Sequence, residues 1–349
     1  MPQPFLVKDI ALQSGTSVAT VDRVLNQRGG VRQHTVRRVQ QAIRELEQQR
    51  DQIGLSGRKY IVDVVMCTPL RFSQLVQQAI EAVVPSLQPA VFRMRYHLAE
   101  EYSVETLLAA LHKIALNGSA GVLLKAPDVP AVVAAIDGLV ARGIPVVTLV
   151  TDVPQSARCA YVGVDNRAAG RTAAYLFQQW LGRRRGRILL SLSSSRFRGE
   201  EEREIGFRQA IREFCPQLQV AEVSGGMGLH DLTARLVQAQ LRQYEDIHSV
   251  YSIGGGNSAI LDVFARRKRR CDLFVAHDLD EENSALLQGG ALHAVLHHDL
   301  RHDVRQACLQ LLVQHGAVRP VAAAQASPVQ IVTPFNLPVE WAAHRPASP

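Results

Sequence analysis

From Tyr60 onward, short apolar runs alternate with longer segments of helical period, and this rhythm restricts the chain to few architectures. YIVDVVMC reads as a strand, QLVQQAIEAVVPSL as a helix ending near Pro85, VFRMRYHL as a strand and VETLLAALHKIALNG as a helix closed by Gly118. AGVLLKA, VPAVVAAIDGLVARG, IPVVTLV and CAYVGV continue the alternation. A second set runs from RTAAYLFQQWLG through GRILLSLS, EREIGFRQAIREF, LQVAEVS, SVYSIGGG and CDLFVAHD; ALHAVLHH then starts a return segment, and VQIVTPFNLP closes the pattern. Strand–helix–strand repetition implies parallel sheets covered by helices on both faces. Two half-domains crossed by several connections account for the number of strands. The cleft between them, at the strand C-terminal ends, is the expected ligand site.

The first fifty residues read differently. Val7 to Gln13 predicts a short helix with Ile10 and Ala11 inward, Gly15 suits a left-handed turn, and Ser17 is placed to cap a helix over Val18–Leu25. A third helix is expected from about Thr35 to Gln48, with Val39, Ile43 and Leu46 on a buried stripe. Three such helices close a miniature core and form a helix-turn-helix. Its second helix would enter the major groove N-terminus first. Val18 and Ala19 could then make only apolar contacts, chiefly to thymine methyls, while Thr20 suits a phosphate or a base and Arg23 suits bidentate contact to guanine. Asn26, Arg28, His34, Thr35 and Arg37 are placed for the DNA backbone. Each has a plainer alternative: Val18 in packing, Arg23 paired with Asp22 or an acid of the third helix, and Arg28, Arg37 and Arg38 as a solvated face.

Charge supports the DNA reading. The net charge of +7 is concentrated in residues 1–60, where ten Lys or Arg stand against five Asp or Glu. A basic head on a nearly balanced body suits phosphate contact. With 349 residues, 47% of them hydrophobic, the chain is too long for one ordinary domain. The five cysteines have no metal or redox spacing, so no disulfide, zinc site or other cofactor is expected. No apolar run reaches membrane-spanning length, and MPQPFLVKDI lacks a secretory signal's apolar core, so a cytoplasmic, nucleoid-associated protein without a membrane partner is expected. GxSxG and GxxxxGK[ST] are both missing, and HDLD, HHDL and RHD lack zinc-hydrolase spacing; the chain is not expected to be an enzyme.

KDIA, SGTSVATVDRVLN and TVRRVQQAIREL together resemble the head of the LacI/GalR family of bacterial regulators. GIPVVTL, YVGVDNRAAGRTAAYL, FRGEEEREIGFRQAI and FVAHDLDEENSALLQGGALHAVLHHDL resemble that family's periplasmic-binding-protein-like sensor, in its ribose-binding-like branch. The resemblance implies an N-terminal all-α helix-turn-helix head (1–49), a hinge or linker (50–60) and an α/β two-lobed domain with parallel sheets (61–345). Lobe 1 is expected over about 61–162 and 290–325, and lobe 2 over about 163–289 and 326–345. It also implies that the helix carrying Ser17, Val18, Ala19, Thr20 and Arg23 reads operator DNA. Asp22 stands where relatives commonly carry Ser. The usual hinge pattern YxPNxxARxL is not present in EQQRDQIGLSGRKY, which leaves Leu55 as the nearest candidate for a minor-groove wedge, Ile53 as the second and a plain linker as the alternative.

For the ligand, the strand end MCTPLRF places Thr68, Arg71 and Phe72 at the cleft mouth, with Phe72 either stacking on a ring or packing in the core. Lys125, after GVLL, is in reach of an anionic or polar ligand. By resemblance, Asp278 after FVAH implies a carboxylate that grips sugar hydroxyls, with helix capping as its alternative. His277 lies beside it, and His298 stands where relatives place a Gln, with His297 and His298 as surface residues the alternative. Asp152 lies near a sugar-binding Asp-Arg position whose Arg is missing here. Relatives place an Arg at the position of Glu201; either Arg198 substitutes for it from nearby or the ligand differs in charge. Glycines of SIGGGNSAI replace an Asn-Asp pair, leaving Asn257 as the polar contact. The expected protein is a homodimeric, sequence-specific DNA-binding regulator, a repressor, controlled by a small carbohydrate or polyol. The other reading is a cytosolic solute sensor whose head no longer binds specific DNA.

Overall fold

The computed structural model describes residues 5–55, 57–99, 103–319 and 326–342, with backbone alone for 48–55, 340 and 342. The head consists of α1 (Val7–Ser14), α2 (Val18–Leu25) and α3 (Gln33–Leu55). Gly15 ends α1 at φ 59, where a β-carbon would also meet the Arg38 guanidinium at 2.8 Å. Arg38 donates to the carbonyls of Ser14 and Gly15, tying α3 to the end of α1. Ile10, Ala11, Val21 and Val39 form the head's core, flanked by Val24, Ile43 and Leu46.

The third helix does not stop at Gln48. It runs to Leu55, so the first half of the expected 50–60 linker is helical, and the body's first strand starts at Lys59. Gly54 costs a helix only about 1 kcal/mol, and the Glu, Gln and Arg residues before it are good helix formers. The side chain of Leu55 lies outside the described residues. An ion pair between Glu47 and Arg319, at 2.7 Å, links α3 to the body.

Lobe 1 contains β1 (Lys59–Cys67), α4 (Leu70–Val83), β2 (Val91–Ala99), α5 (Val104–Asn117), β3 (Gly121–Lys125), α6 (Pro130–Val140), β4 (Val146–Leu149) and β5 (Ala160–Val162). Its five strands are all parallel, in the order β2-β1-β3-β4-β5. Lobe 2 contains α7 (Asn166–Leu181), β6 (Gly186–Ser191), α8 (Arg198–Phe214), β7 (Leu218–Val223), α9 (His230–Gln243), β8 (Ile247–Ser252), α10 (Asn257–Arg266), β9 (Leu273–His277), α11 (Glu281–Gln288) and β10 (Ala294–His297). The chain then returns to lobe 1 as α12 (Leu300–Gln314) and re-enters lobe 2 as β11 (Gln330–Val332), before α13 (Val339–Ala342). The second sheet has the order β11-β10-β9-β8-β6-β7, with only β11 antiparallel.

The expected lobe division also shifts at the return crossing. Residues 290–297 do not belong to lobe 1: Ala294, Val295 and Leu296 are fully buried in the second sheet, paired with β9. The return crossing falls at 298–299, where Asp299 caps α12, and Val304, Ala307, Cys308 and Leu311 then enter the core of lobe 1. In each lobe the apolar faces of sheet and helices close on one another, and the strand C-terminal ends face the cleft.

Candidate functional site

On the head, Ser17 Oγ accepts the Thr20 N–H at 3.1 Å and meets the Thr20 hydroxyl at 2.8 Å, so both residues set the start of α2. Val18 is 53% exposed, far more than a packing role would leave, and Ala19 is exposed beside it. Arg23 is exposed and forms no ion pair among the described residues. Asp22 does not engage it; instead Asp22 accepts from Asn26 at 2.7 Å and pairs with Arg28 at 3.1 Å. Asn26 and Arg28 are thus drawn back onto α2, but the Arg28 pair is solvent-exposed and worth at most about 1 kcal/mol. His34, Thr35 and Arg37 begin α3, with the hydroxyl of Thr35 3.2 Å from His34 Nε2 and Arg37 exposed.

In the body, the ends of β1, β3 and β4 face the ends of β6, β8 and β9 across an inner cavity of about 70 Å³. Thr68, Arg71, Phe72, Lys125, His277 and Asp278 all line it, as expected, together with Thr151, Ser193, Phe197, Glu200, Arg203 and Asp280. A wider trough of about 520 Å³, lined by Cys67, Ser194, Arg196 and Met227, shares Phe197 with it as a wall. The lobes are held close. Arg71 of α4 reaches Asp280 at 2.9 Å and Glu282 at 2.7 Å in lobe 2. The Gly199 N–H, at the start of α8, donates to Thr151 of lobe 1 at 3.0 Å.

Asp278 follows β9 with φ +61, a left-handed conformation that Asp tolerates better than most residues. This turn aims its carboxylate at the cleft. Oδ2 lies 4.0 Å from Arg203 Nη1, and Oδ1 is buried without a hydrogen-bond partner among the described residues. Burial opposes its charge, yet Arg203 and then His298 hold its carboxyl below the usual range. His298 does not line the cavity; it stands behind Asp278, with Nε2 3.6 Å from Oδ1. Its Nδ1 is 2.6 Å from Asp303, which in turn accepts from Ser327. Burial disfavours the imidazolium of His298, but Asp303 and Asp278 raise its pKa. Burial and Arg203 keep His277 neutral, with Nε2 sharing a 2.7 Å hydrogen bond with the Tyr251 hydroxyl.

Besides His298, three expected contacts are not in the cavity. Asp152 binds Thr148 at 2.7 Å and pairs with Arg158, six residues on, which completes a structural Asp–Arg pair inside lobe 1. Arg198 faces Asp128 and Glu202, because the first turn of α8 carries it outside the cavity wall. Asn257 is fully buried beneath the loop 253–256, donating to Asn283 at 2.6 Å. The glycines of that loop, not its Asn, reach the cleft: Gly254 and Gly255 line it, with Gly255 against Arg71.

Arg203 is the contact that sequence reasoning missed. It is only 4% exposed, on the α8 face that buries Gly199, Gly206, Phe207 and Ala210, and its Nε donates to Asn166 at 2.8 Å. The available signal was an Arg on an otherwise apolar i, i+3, i+4 stripe, where charge is expensive unless it is used. Glu200 also lay outside the expectation; both its oxygens accept from Ser193, one from the N–H at 2.8 Å.

The fold and site define a class of protein with a helix-turn-helix head joined to a two-lobed, periplasmic-binding-protein-like domain with a polar cleft. Residues 65–316 match the periplasmic binding protein domain, and residues 6–51 match the bacterial regulatory proteins of the lacI family. The chain belongs to the periplasmic binding protein domain family and carries a LacI-type head fused to it. Both are families of regulators and binding proteins, not of enzymes. No curated protein matches the sequence.

Among solved structures, GanP, a glucose-galactose binding protein from Geobacillus stearothermophilus, aligns with a TM-score of 0.72 at 19% identity over 81% of this chain and 100% of its own. A candidate LacI transcriptional regulator from Bacteroides fragilis aligns at 0.70 and 19%, over 80% and 98%. An ABC transporter solute-binding protein from Agrobacterium vitis, with bound D-fucose, aligns at 0.69 and 19%, over 80% and 96%. These likenesses establish the fold. Among the described residues no helix is long and apolar enough to cross a membrane, and no group of His, Cys, Asp or Glu could hold a metal ion.

Proposed function

We propose that this protein is a cytoplasmic, nucleoid-associated transcriptional regulator that binds operator DNA as a homodimer, represses from it, and is switched by a small sugar or polyol in the interlobe cleft. The observation that carries the ligand reading is Asp278: a carboxylate oxygen buried in the cleft without a hydrogen-bond partner, backed by Arg203 and His298. A buried acceptor left unpaired costs about 1–3 kcal/mol, which a ligand hydroxyl would recover. Phe72 and Phe197 offer apolar walls, and Thr68, Thr151 and His277 offer further polar partners. The glucose-galactose and D-fucose proteins that share the fold favour the same class of ligand.

For the head, the exposed Val18, Ala19 and Arg23 on α2 support base contact, with His34, Thr35 and Arg37 on the backbone; Thr20 and Ser17 set the helix start. Asn26 and Arg28 would exchange Asp22 for phosphate. Coupling requires that the ligand-bound relation of the lobes bind DNA differently, and the Glu47–Arg319 pair is a direct link between α3 and the body. The hold of Asp22 on Asn26 and Arg28 also favours a second reading, a cytosolic solute sensor whose head serves assembly. Fluorescence anisotropy of the full chain on DNA from its own upstream region, against random duplex and with a panel of sugars and polyols, separates the two. Sequence-specific binding that shifts at least tenfold with one ligand is expected. Binding equal on both duplexes and indifferent to every ligand would refute the regulator.

A further inference from the structure

The cleft contains a cation that makes no ion pair among the described residues. Lys125 ends β3 with 8% exposure, its Nζ 4.2 Å from the Phe197 ring centre and 5.5 Å from that of Phe72. It forms no hydrogen bond or ion pair among the described residues, and it lines the inner cavity. The acids around it are otherwise engaged. Glu200 gives both oxygens to Ser193, Asp278 is turned to Arg203 and His298, and Asp280 is paired with Arg71. The Cys67 thiol and the Arg203 guanidinium are its other titratable or charged neighbours, and Arg203, a second cation, opposes its charge. Two aromatic faces attract an ammonium but return less than the hydration it has lost. Burial lowers its pKa to about 8, against the pull of Glu200, so the charged form still predominates at neutral pH.

A neutral sugar would leave this ammonium as it is. An acid group beside the hydroxyls would pair with it in a water-poor site, where charge-assisted hydrogen bonds are strongest. Phe197 belongs to lobe 2 and Lys125 to lobe 1, so an anion drawn to Lys125 would bind at the junction the lobes make on closing. Resting on the reading of the cleft as a carbohydrate site, we propose that its ligand is an anionic polyhydroxy compound, a sugar acid or sugar phosphate, whose acid group pairs with Lys125 while its hydroxyls meet Asp278.

Titration calorimetry of the full chain with matched probes tests this: five- and six-carbon aldoses, each beside its aldonate, its uronate and its terminal phosphate. At pH 7 one anionic member is expected to bind at least tenfold more tightly than its neutral partner; whether that is a carboxylate or a phosphate identifies the group. Lys125→Met, checked for folding by its melting temperature, should bring the pair within about twofold. In the unaltered chain, which needs no variant, affinity for the anion should hold below about pH 8 and fall above it as Lys125 loses its proton, while neutral sugars show no such fall. Neutral members binding as tightly as their acids would overturn the inference and leave the carbohydrate cleft standing. If no member of either class binds, both readings fall.

Discussion

Arg203→Met replaces the cleft's most buried cation with a side chain of similar length. It removes the 2.8 Å bond to Asn166 and the charge facing Asp278 at 4.0 Å. Removing one partner of a buried ion pair costs about 3–5 kcal/mol. The long separation and the cavity beside Asp278 reduce that to about 2 kcal/mol here, and the orphaned Asn166 oxygen adds about 1 kcal/mol. A total of about 3 kcal/mol should appear in urea denaturation as a midpoint lowered by roughly 1 M, for a slope near 3 kcal/mol/M. Adding Asp278→Asn, which keeps a residue tolerant of φ > 0, should restore about 1–2 kcal/mol by removing the unpaired charge. The pH dependence has a definite sign. The carboxyl of Asp278 is held low in the native protein, so its stabilisation is present above its unfolded pKa of about 4 and lost as pH falls through the native value. The deficit of Arg203→Met should therefore narrow in acid. A loss under about 0.5 kcal/mol, or no recovery in the double variant, would refute the view that Arg203 is there for Asp278.

Arg23→Ala should cost about 1–3 kcal/mol at one operator base pair and little on random duplex, read by anisotropy; equal losses on both would put Arg23 on phosphate instead. Because Asp303 and Asp278 raise the pKa of His298, its stabilising charge is fully present below about pH 6.5 and lost as pH rises through the native value. Denaturation midpoints should thus decline over that range in the unaltered protein and stay level in His298→Gln, and parallel curves would sink the assignment. Gly170→Ala puts a β-carbon 2.0 Å from the Arg203 carbonyl oxygen and 2.8 Å from the Phe207 nitrogen, so it should destabilise by at least about 2 kcal/mol and weaken ligand binding by displacing Arg203. An unchanged melting temperature would show that α7 and α8 can part freely.

The residues that could be placed from sequence were those fixed by local rules. Thr68, Lys125 and Asp278 each sit at or just beyond a strand's C-terminal end, and in a parallel sheet that position alone brings them to the cleft, while Phe72 reaches it from the first turn of the helix that follows. Ser17 obeyed the capping rule, and the stripe of Val39, Ile43 and Leu46 on α3 met Ile10 and Val21 in the head's core. The misplaced residues depended on contacts between distant segments. Asp152 found its Arg at 158 and so left the cleft, and Asn257 was claimed by Asn283. Arg198 and Arg203 share one helix, and a rotation of that helix decides which of them faces the cavity.

What the amino-acid order settled alone was a matter of period and punctuation: three short helices, then strands and helices in alternation, with caps and turns where the backbone demanded them. These are short-range effects, governed by a few neighbouring residues. Tertiary packing decided the rest. It placed β10 in the second sheet, carried α3 through to Leu55, turned Asp278 toward Arg203 and left Lys125 without an ion pair among the described residues. Whether a charge is satisfied depends on which groups from remote parts of the chain come within a few ångströms of it, and no local pattern records that distance.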